Sequence, residues 1–245
     1  ARGGSEEQLG QILGQRRKDI VLASKFGMAM SDDGTKIGAS RRYIMSAVED
    51  SLTRLKTDWI DLYQLHQEDP LTPMEETLRA LEDLVTQGKV RYIGCSNLKS
   101  WQVVESQWIS KSSSITRFIS CQDEYNILNR EIEHELIPAM QRYGCGLLPY
   151  FPLASGLLTG KYQSNKMPEG ARLTDMPTFA NRVYVTDENF SIVEKLNAFA
   201  KQHGHSLLEL AFSWMAARPT TASIIAGATK PEQIDANVDA IGWKM

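Results

Sequence analysis

Cysteine is scarce in this chain: Cys95, Cys121 and Cys145 are the only three in 245 residues. An odd number at wide spacing argues against a disulfide framework, and no Cys/His spacing suggests zinc or any other metal site. Each thiol lies in an apolar stretch with no base beside it, which reads as a buried free cysteine in a reducing, cytoplasmic compartment. Long hydrophobic runs are lacking too, so no transmembrane helix is expected, and no secretory leader is read ahead of the first helix. Neither sign of charge dominates. The 27 basic and 30 acidic residues leave a net charge of −3, with no basic excess for nucleic acid or an anionic membrane. No G-x-G-x-x-G turn follows any strand-like segment, which counts against a doubly wound dinucleotide domain. Low-complexity tracts and linkers are missing, so a single domain over residues 1–245 is expected.

What is present is an uninterrupted alternation. Strand-like segments run over Ile20–Lys25, Trp59–His66, Arg91–Asn97, Phe118–Asn126, Gly144–Leu153 and Ser223–Thr229. Helical patterns run from Ser5, and over Arg41–Arg54, Met74–Gln87, Ser100–Ser110, Glu131–Arg142, Glu188–His203, Ser206–Ala217 and Pro231–Ile241. Six strands followed by helices imply a parallel sheet with crossover helices. A repeat of about thirty residues is the spacing of a (β/α)₈ barrel. Residues 163–186 form the longest irregular segment, the kind of loop that often carries function.

The strands share one property. Each ends in a polar or aromatic group: Lys25, His66, Ser96 with Asn97, Gln122, Tyr150, and the run Gly227-Ala228-Thr229. Alone, His66 reads as a core histidine and Lys230 as an exposed charge, while a solvated strand end for Lys25, a turn for Ser96-Asn97 and a core aromatic for Tyr150 stand as alternatives. Six ends in register read instead as one barrel mouth. Lys25 and His66, on adjacent strands, could polarise a carbonyl. The amides and hydroxyl of Ser96, Asn97 and Gln122 suit a planar carboxamide, and Tyr150 suits a flat ring. Lys230, with the amides of the helix starting at Pro231, suits a phosphate. Carboxamide, flat ring and phosphate together describe a nicotinamide dinucleotide. His134, His203 and His205, on helices or at helix ends, read as structural or solvated.

The chain resembles the aldo-keto reductase family, in its bacterial and potassium-channel-β-subunit-like branch, over essentially its whole length. The motifs are Ser5–Gly10, Leu22–Gly27, Asp58–His66, Gly88–Asn97, Gln122–Asn126, Pro152–Tyr162 and Gly227–Gln233. The resemblance implies a (β/α)₈ barrel that binds NADPH across its mouth and reduces aldehydes or ketones with an Asp, Tyr, Lys and His tetrad. Lys25 matches the tetrad lysine and His66 the tetrad histidine. Ser96, Asn97 and Gln122 match the carboxamide ligands, and Tyr150 the ring stacked on the nicotinamide. Pro152, Leu153, Gly156, Leu158, Gly160 and Lys161 match the segment over the pyrophosphate, with Arg172 a further cofactor contact. Gly227, Thr229, Lys230, Gln233 and Asn237 match the adenosine and 2′-phosphate site.

Three positions depart from the family pattern: Phe151 stands in place of Ser, Gln67 in place of Arg, and Ala236 in place of a frequent acid. The tetrad Asp and Tyr would precede Ser5, and no residue here matches them. The expectation is therefore a barrel lacking its first two βα units and shortened at its C-terminus, with the 245-residue chain inactive by itself. Its partner would be a small aldehyde or ketone. Two alternatives are a nicotinamide-binding regulatory subunit and a remnant that binds no cofactor.

Overall fold

A computed structural model describes residues 2–162, 167–170, 172–175 and 184–244. They fall into two compact units, Ala1–Gln122 with Glu135–Gly146, and Asp123–His134 with Leu147–Met245.

The first unit is a run of βα repeats. Helix α1 (Gly4–Ile12) and a short 3-10 helix lead into β1 (Ala23–Phe26), α2 (Arg41–Leu55), β2 (Ile60–Leu65), α3 (Met74–Thr86), β3 (Val90–Ser96), α4 (Ser100–Ser113), β4 (Phe118–Gln122) and α5 (Leu136–Tyr143). Strands β1 to β4 pair in parallel with their neighbours in chain order, and β5 (Gly146–Leu147) continues the order of the sheet. The helices form for ordinary reasons. Ser40 caps α2 by accepting from the Tyr43 N–H. In α3, Glu75 and Glu76 occupy the first turn, and Leu78, Leu81 and Leu84 fall on one fully buried stripe.

Strand alternation sorts side chains onto two faces. Tyr63 and Phe26 meet with ring centroids 4.9 Å apart. Cys95 and Cys121 are cross-strand partners with sulfurs 3.6 Å apart, and the Gln107 amide of α4 reaches Cys145 Sγ at 3.4 Å. This is the apolar, helix-covered face, and all three cysteines are buried thiols outside any disulfide. The opposite face is polar. Register places Lys25 beside Gln64, Gln64 beside Gly94, and Ser96 beside Gln122. Residues two apart share a face, so Ser120 joins Gln122 and the backbone aims His66 along with Gln64.

An ion cluster joins the N-terminal end of β2 to the helix preceding β1. Asp61 accepts from the Leu22 N–H at 3.0 Å and from Arg17 and Arg91, each at 2.8 Å. Both guanidinium groups also lie over the Trp59 ring, at 4.3 and 4.8 Å.

Among the described residues the second unit is built on short 3-10 turns and four helices: α6 (Arg172–Asp175), α7 (Asp187–Gln202), α8 (Leu207–Ala216) and α9 (Pro231–Asp239). Its core joins Ala154, Leu157, Leu158 and Tyr162 to Leu173, Tyr184, Phe190, Val193, Leu207 and Leu210. His205 pairs with Glu209 at 3.0 Å and stacks on Trp243 at 4.2 Å.

Several elements differ from the sequence expectation. Strand β1 starts at Ala23 rather than Ile20; Ile20 and Val21 are exposed, Val21 by 83%. β4 stops at Gln122 rather than Asn126, and β5 has two residues rather than ten. The expected helix from Glu131 breaks into a 3-10 turn, Glu131–Glu133, and α5. Pro138 explains the break, because its ring and missing N–H do not tolerate a helix continuing upstream through His134. The expected strand at Ser223–Thr229 is irregular. It hydrogen-bonds along one side, through Ala222 N–H to Leu147 O and Ile225 N–H to Pro149 O, and Gly227, Ala228 and Thr229 are exposed.

Candidate functional site

The polar face of the first unit gathers five candidates at the C-terminal ends of its strands. Lys25 is the third residue of β1, and His66 follows β2 directly, its N–H bonded to Phe26 O at 2.9 Å. Burial lowers the Lys25 pKa. Burial, and then the charge of Lys25, lower that of His66, so the imidazole is neutral at pH 7. Among the described residues no carboxylate pairs with the Lys25 ammonium. A half-buried cation beside a neutral imidazole is a donor pair suited to an oxygen that gains negative charge.

Beside them sit Ser96, Asn97 and Gln122. Ser96 is fully buried, and its hydroxyl donates to the Gln122 carbonyl at 2.7 Å and accepts from the Asn97 amide at 2.9 Å. The Asn97 amide also donates to His66 O at 3.0 Å. Asn97 holds a left-handed backbone, φ 56°, that turns the chain out of β3. Two residues missed from the sequence complete this face. Gln64, 1% exposed, donates to Gln122 Oε1 at 3.2 Å. Gly94 leaves the gap it crosses, for a Cβ there would lie 3.2 Å from Gln64 Cγ and 3.1 Å from Ser120 O. The sequence marks Gln64 only as a polar residue two places before His66, in a strand that also carries Asp61.

In the second unit the candidates cluster in two places. Glu124 and Tyr150 form a parallel bridge, with the Tyr150 N–H on Asp123 O at 3.0 Å. Burial, then Glu124 and Asp123, raise the Tyr150 pKa, so its phenol stays neutral. Phe151, one of the departures, is edge-on to Tyr150 at 5.2 Å. Pro152 is buried and Leu153 opens the turn that follows. Ala154, Ser155 and Gly156 are successive left-handed residues, φ 47°, 56° and 101°. Two non-glycine residues in that region store roughly 1–3 kcal/mol each, a strain that concentrates at functional loops. Lys161 Nζ would be 3.7 Å from a Cβ at Gly156, so its ammonium hangs over this turn, while Leu158 faces the core below. Gly160 ends the turn in a left-handed conformation.

The other cluster is the entry to α9. Lys230 is its exposed N-cap and Pro231 its first residue. Gln233 Oε1 accepts from the Thr229 N–H at 2.7 Å and its hydroxyl at 3.2 Å. Asn237 is half-buried one turn on, and Gly227 has open space around it. Arg172 begins α6, but its side chain lies outside the described residues, as does most of the 163–186 segment. Among the described residues no cluster could hold a metal ion, and no helix is long and apolar enough to cross a membrane.

The Aldo/keto reductase family profile matches residues 1–244. The chain belongs to the aldo/keto reductase family. That makes its fold a (β/α)₈ barrel type, of which the parallel sheet is part. It is 37% identical to a protein of Oryza sativa subsp. japonica named "Probable voltage-gated potassium channel subunit beta", over 98% of this chain and 75% of that one. It is 32% identical to the L-glyceraldehyde 3-phosphate reductase of Escherichia coli (strain K12), over 98% and 71%. It is 33% identical to a protein of Glycine max named "Probable aldo-keto reductase 1", over 94% and 64%. Members of the family are oxidoreductases that generally use NAD(P)H and act on small carbonyl compounds.

Proposed function

We propose that this chain belongs to an NADPH-dependent reductase of aldehydes or ketones. The observation that carries the reading is the pair at the ends of β1 and β2, where the Lys25 charge helps hold His66 neutral. Bound NADPH supplies the hydride. The residues fit such a cofactor: a buried amide, Gln122, stands at a strand end beside Asn97, and two buried polar atoms on the same face, Gln64 Oε1 and Ser120 Oγ, lack a partner among the described residues. Ser96, Asn97 and Gln122 are assigned to the carboxamide, and Lys25 and His66 to the carbonyl oxygen. In the second unit, Tyr150 is assigned to the nicotinamide ring, Pro152–Lys161 to the pyrophosphate, Arg172 to a further contact, and Gly227, Thr229, Lys230, Gln233 and Asn237 to the adenosine 2′-phosphate.

A proton must reach the carbonyl oxygen as hydride arrives. No residue of this chain matches the family's tyrosine donor, so the 245-residue chain alone is proposed to bind NADPH with little turnover. The likeness to a channel β subunit favours a second reading, in which cofactor binding serves regulation. Quenching of NADPH fluorescence by the chain tests the cofactor assignment. Steady-state reduction of 4-nitrobenzaldehyde separates the readings: brisk turnover by the chain itself contradicts the missing donor.

A further inference from the structure

We propose that Gln64 is a positioning residue for the nicotinamide, acting through Gln122; the inference rests on the assignment of Gln122 to the carboxamide. A glutamine amide presents a donor at one end and an acceptor at the other, and a ligand distinguishes them. Something must fix which end faces out. Gln64 Nε2 donates to Gln122 Oε1 at 3.2 Å, with both residues buried. That bond occupies the acceptor end of Gln122 and leaves its N–H₂ to donate to a carboxamide carbonyl.

Three features make the orientation one-sided. Gly94 stands in register beside Gln64 on β3, and its missing side chain lets Gln64 cross to β4. Lys25 stands in register on the other side, on β1, so its cation favours the carbonyl end of Gln64 there and the N–H₂ end toward Gln122. Gln64 Oε1 itself has no partner among the described residues. A buried acceptor left unpaired is costly, and it marks the amide as held for a purpose other than filling the core. Leucine would fill the same space between the apolar neighbours Tyr63 and Leu65.

The test is a set of titrations on the full chain with NADP⁺ and with 2′,5′-ADP, which carries the adenosine half and no nicotinamide. Gln64→Leu is expected to weaken NADP⁺ about 3–10-fold, the worth of one neutral hydrogen bond, and to leave 2′,5′-ADP unchanged. Added to Gln122→Leu, it is expected to cause no further loss, because the amide it orients is gone. Equal weakening of both ligands, or losses that simply add, would make Gln64 a structural residue and overturn the proposal. Gln64→Glu keeps the size of the side chain and removes its donor. It is expected to weaken the 3-acetylpyridine analogue of NADP⁺ more than NADP⁺ itself, since the acetyl group has no N–H to turn toward a reversed Gln122 amide. Equal effects on the two would contradict the orientation. A wild-type chain that binds 2′,5′-ADP but not NADP⁺ would refute the nicotinamide assignment. One that binds neither would refute the cofactor reading, and this inference with it.

Discussion

Arg17 and Asp61 meet at 2.8 Å with side chains only 8% and 7% exposed. Their pairing joins the segment before β1 to the start of β2 at the end of the sheet opposite Lys25 and His66. Burial would raise the Asp61 pKa, but the hydrogen bond from Leu22 N–H and the charge and hydrogen bond of Arg17 outweigh it and hold the carboxyl below its usual range. A carboxylate held below its unfolded value stabilises the fold above about pH 4, and that contribution is lost as pH falls through the folded value. Asp61→Ala leaves Arg17 buried and unpaired and is expected to cost about 3–5 kcal/mol. Denaturant unfolding at pH 7 and pH 3 reads both effects: the gap between variant and wild type should shrink at the lower pH.

The histidine titrates with the same sign. His66 lies below its ordinary 6.5, first by burial and then by Lys25. Folding therefore favours its neutral form, and stability falls as pH drops below about 6.5. Lys25→Met should raise the His66 pKa, measured by NMR, yet leave it below 6.5, because burial is the larger cause. No change on removing the lysine would separate the two residues and undo the donor pair.

Gly94→Ala tests the gap on β3. The added methyl meets Ser120 O at 3.1 Å and Ser120 Oγ closer still. A destabilisation of about 1–3 kcal/mol is expected, as for overpacking elsewhere. A neutral substitution would mean that the sheet yields there and that glycine is not required.

Lys230→Glu tests the cofactor's phosphate end. The residue is exposed at the N-cap of α9, so the fold should be indifferent to the change. Affinity for NADPH should fall by about tenfold or more, with NADH far less affected, since a charge-assisted contact to a phosphate is worth about 1.5–3 kcal/mol. Equal losses for both would remove Lys230 from the 2′-phosphate.

The alternation of strands and helices was legible because amphipathic helices such as α3 and apolar strands such as β2 carry their own periodicity. Strand ends were less so. Ile20, Val21 and Ser223–Thr229 have strand-like composition, but composition does not say whether a neighbour pairs with them. Pro138 was visible, and the helix break it forces was overlooked. The strand-end residues Lys25, His66, Ser96, Asn97 and Gln122 were legible as a set. Gln64 was not, because its meaning depends on Gly94 and Gln122, which register alone brings beside it.

The most direct measurement is a fluorescence titration of the full chain with NADPH, repeated with NADH. Saturable quenching by NADPH at lower concentration than by NADH is the predicted result. No quenching by either nucleotide, from a chain shown by circular dichroism to be folded, would contradict the proposed function.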